Sequence, residues 1–279
     1  MDRTTVVPPE FRLEGKVILL TGALGLIGSE VSDAVAAAGG NLALVDIRPL
    51  EDIDRAGREL DDRHGGRCLS IQADISDPVA ASDMVRKAVS DLGKVDVLIH
   101  CAAIDAKFDA GIDEVPKSSF EEFPLEVWER SLDVNFTGTF LTAQAVVKEM
   151  LKRKSGNIIT LASAYSLVAP DQTLYDRGDD RPHAYKPVDY VATKSFVPNF
   201  TRYLATTYAR QGIRANCIVP HGVWNEHPEW FARNFERLSP MGRMCKASEL
   251  RGPFVFLASD ASSYMTGSTL VVDGGWTAW

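Results

Sequence analysis

The sequence predicts a doubly wound α/β fold, a single domain built on one parallel sheet of about seven strands with helices on both faces. Three observations predict it. Short apolar runs of about 4–8 residues alternate with helix-length amphipathic segments along nearly all of the 279 residues. Most of those runs are apolar throughout, the pattern of strands covered on both faces. The first run ends in a turn with three glycines that opens directly into a helix.

Taken in order, residues 1–12 carry Asp2, Arg3, Pro8 and Pro9 and lack the basic-then-apolar pattern of a signal peptide. They read as an N-terminal arm to a domain spanning 13–279. Strands are expected over 16–21, 41–46, 68–73, 95–101, 157–162, 214–219 and 269–272. Helices are expected over 26–38, 52–63, 78–92, 125–135 running on to 154, 188–211 and 248–257. Strand–helix–strand repetition implies parallel pairing through helical crossovers. Two long irregular stretches remain, 104–124 and 166–187. A third segment, 222–240, is rich in Trp and Phe and is expected to hold a short helix. Ligands of such sheets bind beyond the carboxyl ends of the strands.

The formal net charge of −8 and the lack of a basic cluster argue against nucleic acid or an anionic membrane as partner. No apolar stretch approaches the roughly 20 residues of a membrane span. The four cysteines, Cys68, Cys101, Cys217 and Cys245, are far apart and show no C-x-x-C spacing. They read as reduced thiols of a cytoplasmic protein. The histidines His64, His100, His183, His221 and His227 show no paired ligand spacing, so no metal is expected.

The turn Gly22-Ala23-Leu24-Gly25-Leu26-Ile27-Gly28 follows the first strand. Glycines there let the backbone approach a pyrophosphate, and the helix start supplies N–H donors and partial positive charge. Asp46 ends the second strand, 18 positions after Gly28. A carboxylate at that place accepts from both adenosine ribose hydroxyls and repels a 2′-phosphate, which favours NAD over NADP; Arg48 nearby pulls the other way. This is a Rossmann arrangement. Asp74, at the end of the third strand beside Ile75, either contacts the adenine edge or closes a turn.

Tyr190 and Lys194 sit at i and i+4 near the start of a helix and so share a face. An ammonium beside a phenol favours phenolate, making Tyr190 a general base for alcohol oxidation or an acid for ketone reduction. Ser163 ends the fifth strand and is placed to meet the reacting oxygen. Asn135 lies on the helix before that strand.

Taken together these features resemble the short-chain dehydrogenase/reductase family, in its compact single-domain branch, over residues 13–276. The family's order is kept: glycine turn, Asp46, Asp74, Asn135, Ser163, Tyr190 and Lys194, a Pro–Gly segment after the sixth strand, and Val272-Asp273-Gly274-Gly275. The resemblance implies that Tyr190 transfers the proton, Ser163 orients the substrate oxygen and Lys194 holds the nicotinamide ribose. It implies that Asn135 supports a water linking Lys194 to solvent. It adds cofactor contacts from Ile75, Ala102, Pro220, Gly222 and Val223, and a homo-oligomer, dimer or tetramer, with the C-terminal end near an interface.

The sequence also departs from that pattern. The glycine spacing looks like that of sugar-nucleotide epimerases and dehydratases, and a non-enzymatic NAD-binding regulator on this fold is a second rival. Strand four ends Ile99-His100-Cys101-Ala102-Ala103, where His100 is available for hydrogen bonding. After strand six comes Pro220-His221-Gly222, one residue more than the common pair. The largest departure separates Ser163 from Tyr190 by 27 positions, longer than the resemblance implies. It contains Tyr175, Asp176, Arg177, Asp179, Asp180, Arg181, His183 and Lys186, and reads either as a lid or substrate wall or as a solvated loop. Charge in both flanking loops points to a polar, carbohydrate-derived substrate, with Tyr165 and Trp224 as candidate contacts. The insertion, Ala164-Tyr165 and the Trp-rich tail are similar to family members of bacterial sugar-modification pathways.

Overall fold

The computed structural model describes residues 8–105, 119–178 and 184–279. The first seven residues of the expected arm, positions 106–118 of the first long loop, and Asp179, Asp180, Arg181 and His183 lie outside the described residues. Seven expected runs pair: β1 (Val17–Thr21), β2 (Asn41–Asp46), β3 (Cys68–Gln72), β4 (Val97–His100), β5 (Gly156–Leu161), β6 (Ile213–Pro220) and β7 (Thr269–Val272). They form one sheet in the order β3-β2-β1-β4-β5-β6-β7, with every pairing parallel. Because β1 lies between β2 and β4, the chain winds outward in both directions from the gap between β1 and β4. The crevice outside that gap is where such sheets bind ligands.

The inner strands are buried on both faces, and successive side chains supply two separate cores. Leu19, Leu98 and Ile158 point to one face, beneath α3 (Pro78–Leu92) and the later helix carrying Val146 and Met150. Ile18, Leu20, Ile99 and Ile159 point to the other, beneath α1 (Leu26–Ala37) and the helix carrying Phe254 and Leu257. The strands therefore read apolar without alternation. Among the described strands the outermost, β3 and β7, are the most exposed.

The remaining helices are α2 (Leu50–His64), α4 (Leu125–Ser131), α5 (Thr139–Arg153), α6 (Val188–Tyr208), α7 (Glu229–Leu238) and α8 (Arg251–Ala258). Asp77 caps α3 by accepting from the Val79 and Ala80 N–H groups at 2.8 and 2.7 Å, with Pro78 in the first helical position. The Trp- and Phe-rich segment does hold a short helix, α7. Two helices differ from expectation. The run 125–154 is broken by one wide π turn, Leu132–Gly138, and Asn135 lies within it. Such turns frequently mark functional sites. The last helix starts at Arg251, after a 3-10 turn over Ala247–Leu250. The described end of the arm forms a short turn, Pro9–Phe11, whose Phe11 ring lies 6.3 Å from Phe256.

Candidate active site

A cleft runs along the carboxyl edge of the sheet in two lobes, which share Gly22, Gly25, Cys101, Ala103 and Ile104. One lobe holds Asp46, Arg48, Asp74, Ile75 and Ala102. The other holds Ser163, Tyr165, Tyr190 and Lys194, with Pro220, Gly222 and Val223 on its far side. Leu26, Ile27 and Gly28 line this second lobe at the start of α1.

Two of the turn glycines are required sterically. Gly22 has φ +69°, and a Cβ there would lie 2.7 Å from the Ala102 backbone on the end of β4. A Cβ on Gly28 would lie 1.9 Å from the Gly22 carbonyl oxygen, so α1 packs directly on the turn. No side chain caps α1, which leaves its first N–H groups to an anion. Asp46 is buried and ties β2 to this turn: its Oδ2 accepts from Leu24 N at 2.9 Å and its Oδ1 from Arg48 N at 3.2 Å. Each carboxylate oxygen keeps a lone pair for a ribose hydroxyl. These residues fit a dinucleotide. Asp74 closes a turn, accepting from Ser76 N at 2.9 Å and Ser76 Oγ at 2.6 Å, while also lining the lobe.

Ser163 follows β5, and its Oγ accepts from Tyr165 N at 3.3 Å. Tyr190 and Lys194 project from one face of α6 into the same lobe. Burial is the largest influence on Tyr190 and pushes the phenol well above its ordinary range. The Asp105 carboxylate pushes the same way, and the nearby Ser163 hydroxyl pulls it back. The expected lowering by Lys194 is therefore corrected. The Lys194 Nζ lies 5.9 Å from the Tyr190 ring centroid and donates to the Leu161 carbonyl at 3.0 Å. Burial also depresses Lys194 itself, to about 8.

Asn135 stands behind the lobe rather than in it. It exchanges two hydrogen bonds with the Ile104 backbone, Oδ1 accepting from N at 2.8 Å and Nδ2 donating to O at 2.9 Å. The same Nδ2 donates to Thr193 Oγ1 at 3.3 Å, and the Asn135 carbonyl accepts from Thr139 Oγ1 at 2.7 Å. Asn135 thus clamps the exit of β4 against α6.

The described part of the insertion is mixed: Leu167, Val168, Asp171, Thr173 and Asp176 are exposed, while Leu174, Tyr175 and Lys186 are buried. Leu174 and Tyr175 are buried in a cluster with Phe231, Phe235 and Trp276, and both line the substrate lobe. The Tyr175 hydroxyl is 3.2 Å from that of Tyr165. Tyr165 is buried and lines the lobe, whereas Trp224 is 44% exposed and outside it, its ring 5.8 Å from His227, which lines the lobe. The sequence reading missed Asp105 as a site residue. It sits two positions beyond Ala103 in a loop without a periodic pattern, and only folding brings it to the Lys186 ammonium, with which it pairs.

Residues 22–277 match a family model described as enoyl-(acyl carrier protein) reductase. The chain is 32% identical to D-threitol dehydrogenase of Mycolicibacterium smegmatis, covering 96% of this chain and 95% of that one. It is 33% identical to galactitol 2-dehydrogenase (L-tagatose-forming) of Cereibacter sphaeroides, over the full length of both. A solved gluconate 5-dehydrogenase of Burkholderia cenocepacia, in complex with NADP and tartrate, superposes with a TM-score of 0.84 at 28% identity, covering 97% of this chain and 98% of that one. Sequence, topology and glycine turn agree: the chain belongs to the short-chain dehydrogenase/reductase family, NAD(P)-dependent oxidoreductases acting on CH–OH groups.

Proposed function

We propose that this chain is an NAD-dependent dehydrogenase interconverting a secondary alcohol and a ketone on a small polyhydroxylated substrate. The observation carrying this reading is the convergence of Ser163, Tyr190 and Lys194 on one lobe of a cleft whose other lobe holds Asp46. Tyr190 is the proton-transferring group, an acid toward the ketone and a base toward the alcohol. Ser163, whose hydroxyl favours the phenolate of Tyr190, orients the substrate oxygen. Lys194, charged below about pH 8, holds the nicotinamide ribose. Asn135 keeps the β4 exit and α6 in register through Ile104 and Thr193. The bound nicotinamide supplies the hydride acceptor or donor.

Preference for NAD rests on the buried Asp46 carboxylate, which opposes a 2′-phosphate; Arg48 beside it makes the preference graded rather than absolute. Support for a polyhydroxylated substrate comes from the polar side chains Asp105, Lys186 and Asn225 set into an otherwise largely apolar lobe, and from the polyols named in two relatives. A homo-oligomer, dimer or tetramer, accounts for the exposed aromatics Phe136, Phe140 and Tyr203 on the helical segments over 132–153 and 188–208. Four free thiols suit a reducing, cytoplasmic setting.

The test follows NAD reduction spectrophotometrically over polyols, sugars and simple secondary alcohols, with Tyr190→Phe alongside. The variant is expected to lose at least about 100-fold in rate. Undiminished activity in that variant would overturn the mechanism. Turnover confined to steroids or long-chain alcohols would overturn the substrate reading.

A further inference from the structure

Two buried polar atoms in the substrate lobe lack a hydrogen-bond partner: Asp105 Oδ1 and His221 Nε2. Native proteins rarely leave such atoms unmatched unless something else satisfies them. Both belong to side chains that are held firmly. Asp105 directly follows Ile104, which Asn135 clamps from both its N–H and its carbonyl. The other Asp105 oxygen, Oδ2, takes the buried Lys186 ammonium. Lys186 in turn is fixed through its backbone N–H to Gln172 Oε1 at 2.9 Å, and its Nζ lies 3.7 Å from the centroid of the Tyr190 ring. The carboxylate therefore stands beside the reacting phenol, and its charge is felt there.

His221 approaches from the other side of the lobe, on the segment after β6. Its ring is wedged among Trp276, Tyr165 and Phe235, at centroid distances of 4.3, 5.0 and 5.3 Å. Burial pulls it to about 3, so the imidazole is neutral at ordinary pH.

The chemistry of the two atoms selects the ligand. A carboxylate oxygen only accepts, so Asp105 Oδ1 requires a donor and repels a second carboxylate. A neutral imidazole nitrogen makes one hydrogen bond, as donor or acceptor according to tautomer. Hydroxyl groups answer both. We propose that Asp105 Oδ1 and His221 Nε2 receive the hydroxyls flanking the reacting carbon, so that the site takes a neutral vicinal polyol in preference to a simple alcohol or a sugar acid. Lys186 is then a positioning residue that aims Asp105. This inference rests on the alcohol–ketone chemistry proposed above for the same cleft.

The experiment compares kcat/KM, with NAD, for threitol, butane-2,3-diol, butan-2-ol and threonate, with xylitol and galactitol as longer polyols. In the wild-type chain a matched polyol is expected to exceed butan-2-ol by roughly 100-fold or more, and threonate is expected to fall below threitol. Asp105→Asn and His221→Phe are each expected to shrink the polyol-over-butan-2-ol ratio by roughly 10- to 100-fold. A wild-type ratio near one overturns the inference and leaves the alcohol–ketone reading standing, since butan-2-ol then turns over as well. So does a ratio unchanged in both variants, or a preference for threonate. If no alcohol of the set is oxidised, the inference and the reading beneath it fall together. The wild-type ratio needs no variant to fold, and it alone is decisive against the inference.

Discussion

The His100 imidazole Nε2 lies 3.0 Å from the Thr139 hydroxyl, in a fully buried contact between β4 and α5. On its other side, Nδ1 lies 2.9 Å from Thr21 Oγ1 on β1. Thr139 already donates to the Asn135 carbonyl, so Nε2 carries the proton and Nδ1 accepts from Thr21. The result is a directed chain, Thr21 to His100 to Thr139 to Asn135, running across the base of the cofactor cleft.

That chain requires a neutral ring, and burial pulls His100 to about 3, against 6.5 for a free histidine. Between those values the unfolded chain binds the proton and the folded chain does not. Stability is therefore lost as pH falls from about 6.5 toward 3, by about 1.4 kcal/mol per pH unit from this one ring. His100→Asn is expected to cost about 1–3 kcal/mol at pH 7, because a threonine hydroxyl loses its partner. The same variant should show a shallower decline in stability at pH 4–6. Urea unfolding at several pH values measures both effects, and an unchanged acid slope would contradict the assignment.

Lys194 is placed at a cost to stability. Burial depresses it from 10.5 to about 8, so below pH 8 the folded chain carries a buried ammonium held by the Leu161 carbonyl. Between about 8 and 10.5 the unfolded chain binds the extra proton, and stability rises with pH across that window. Lys194→Met is expected to raise stability at pH 7 by about 1–3 kcal/mol while lowering kcat by at least about 100-fold. Thermal unfolding and turnover measured on the same preparation check the opposed signs. A destabilised Lys194→Met chain would show that the hydrogen bond outweighs the desolvation.

One substitution at Asp46 tests both its hold on the glycine turn and the proposed opposition to a 2′-phosphate. Asp46→Ser removes the charge that opposes a 2′-phosphate and leaves Arg48 to attract it. The ratio of kcat/KM for NAD over NADP is expected to fall by at least about 10-fold. The Leu24 and Arg48 N–H groups lose a carboxylate acceptor, so stability should fall by about 1 kcal/mol. A cofactor ratio that stays fixed would place the discrimination elsewhere in that lobe.

Most of the fold was legible because its signals are local and periodic. Strands β2 and β7 and helix α3 fall on their expected boundaries, since apolar runs bounded by turns leave little choice. The glycine turn and the Tyr190–Lys194 pair were legible because both are short-range spacings. The π turn around Asn135 was not, because one extra residue in a helical turn barely alters an amphipathic pattern. Nor was the state of Tyr190, since the sequence shows Lys194 nearby but not the burial that dominates the phenol. The Asp105–Lys186 pair joins positions 81 apart through two loops, and no periodicity announces such a meeting.

The stretch between Ser163 and Tyr190 shares, through Leu174 and Tyr175, one apolar cluster with Phe231 and Phe235 of α7 and with Trp276 near the C-terminus. Loops of this kind are commonly treated as exchangeable parts, moved between scaffolds to change what an enzyme accepts. Here the loop cannot travel alone. A recipient lacking α7 and the tail would meet Leu174 and Tyr175 with no surface to bury them, and the graft would sag into the pocket it was meant to shape. Transplanting or evolving this selectivity means treating three distant stretches of chain as a single heritable unit.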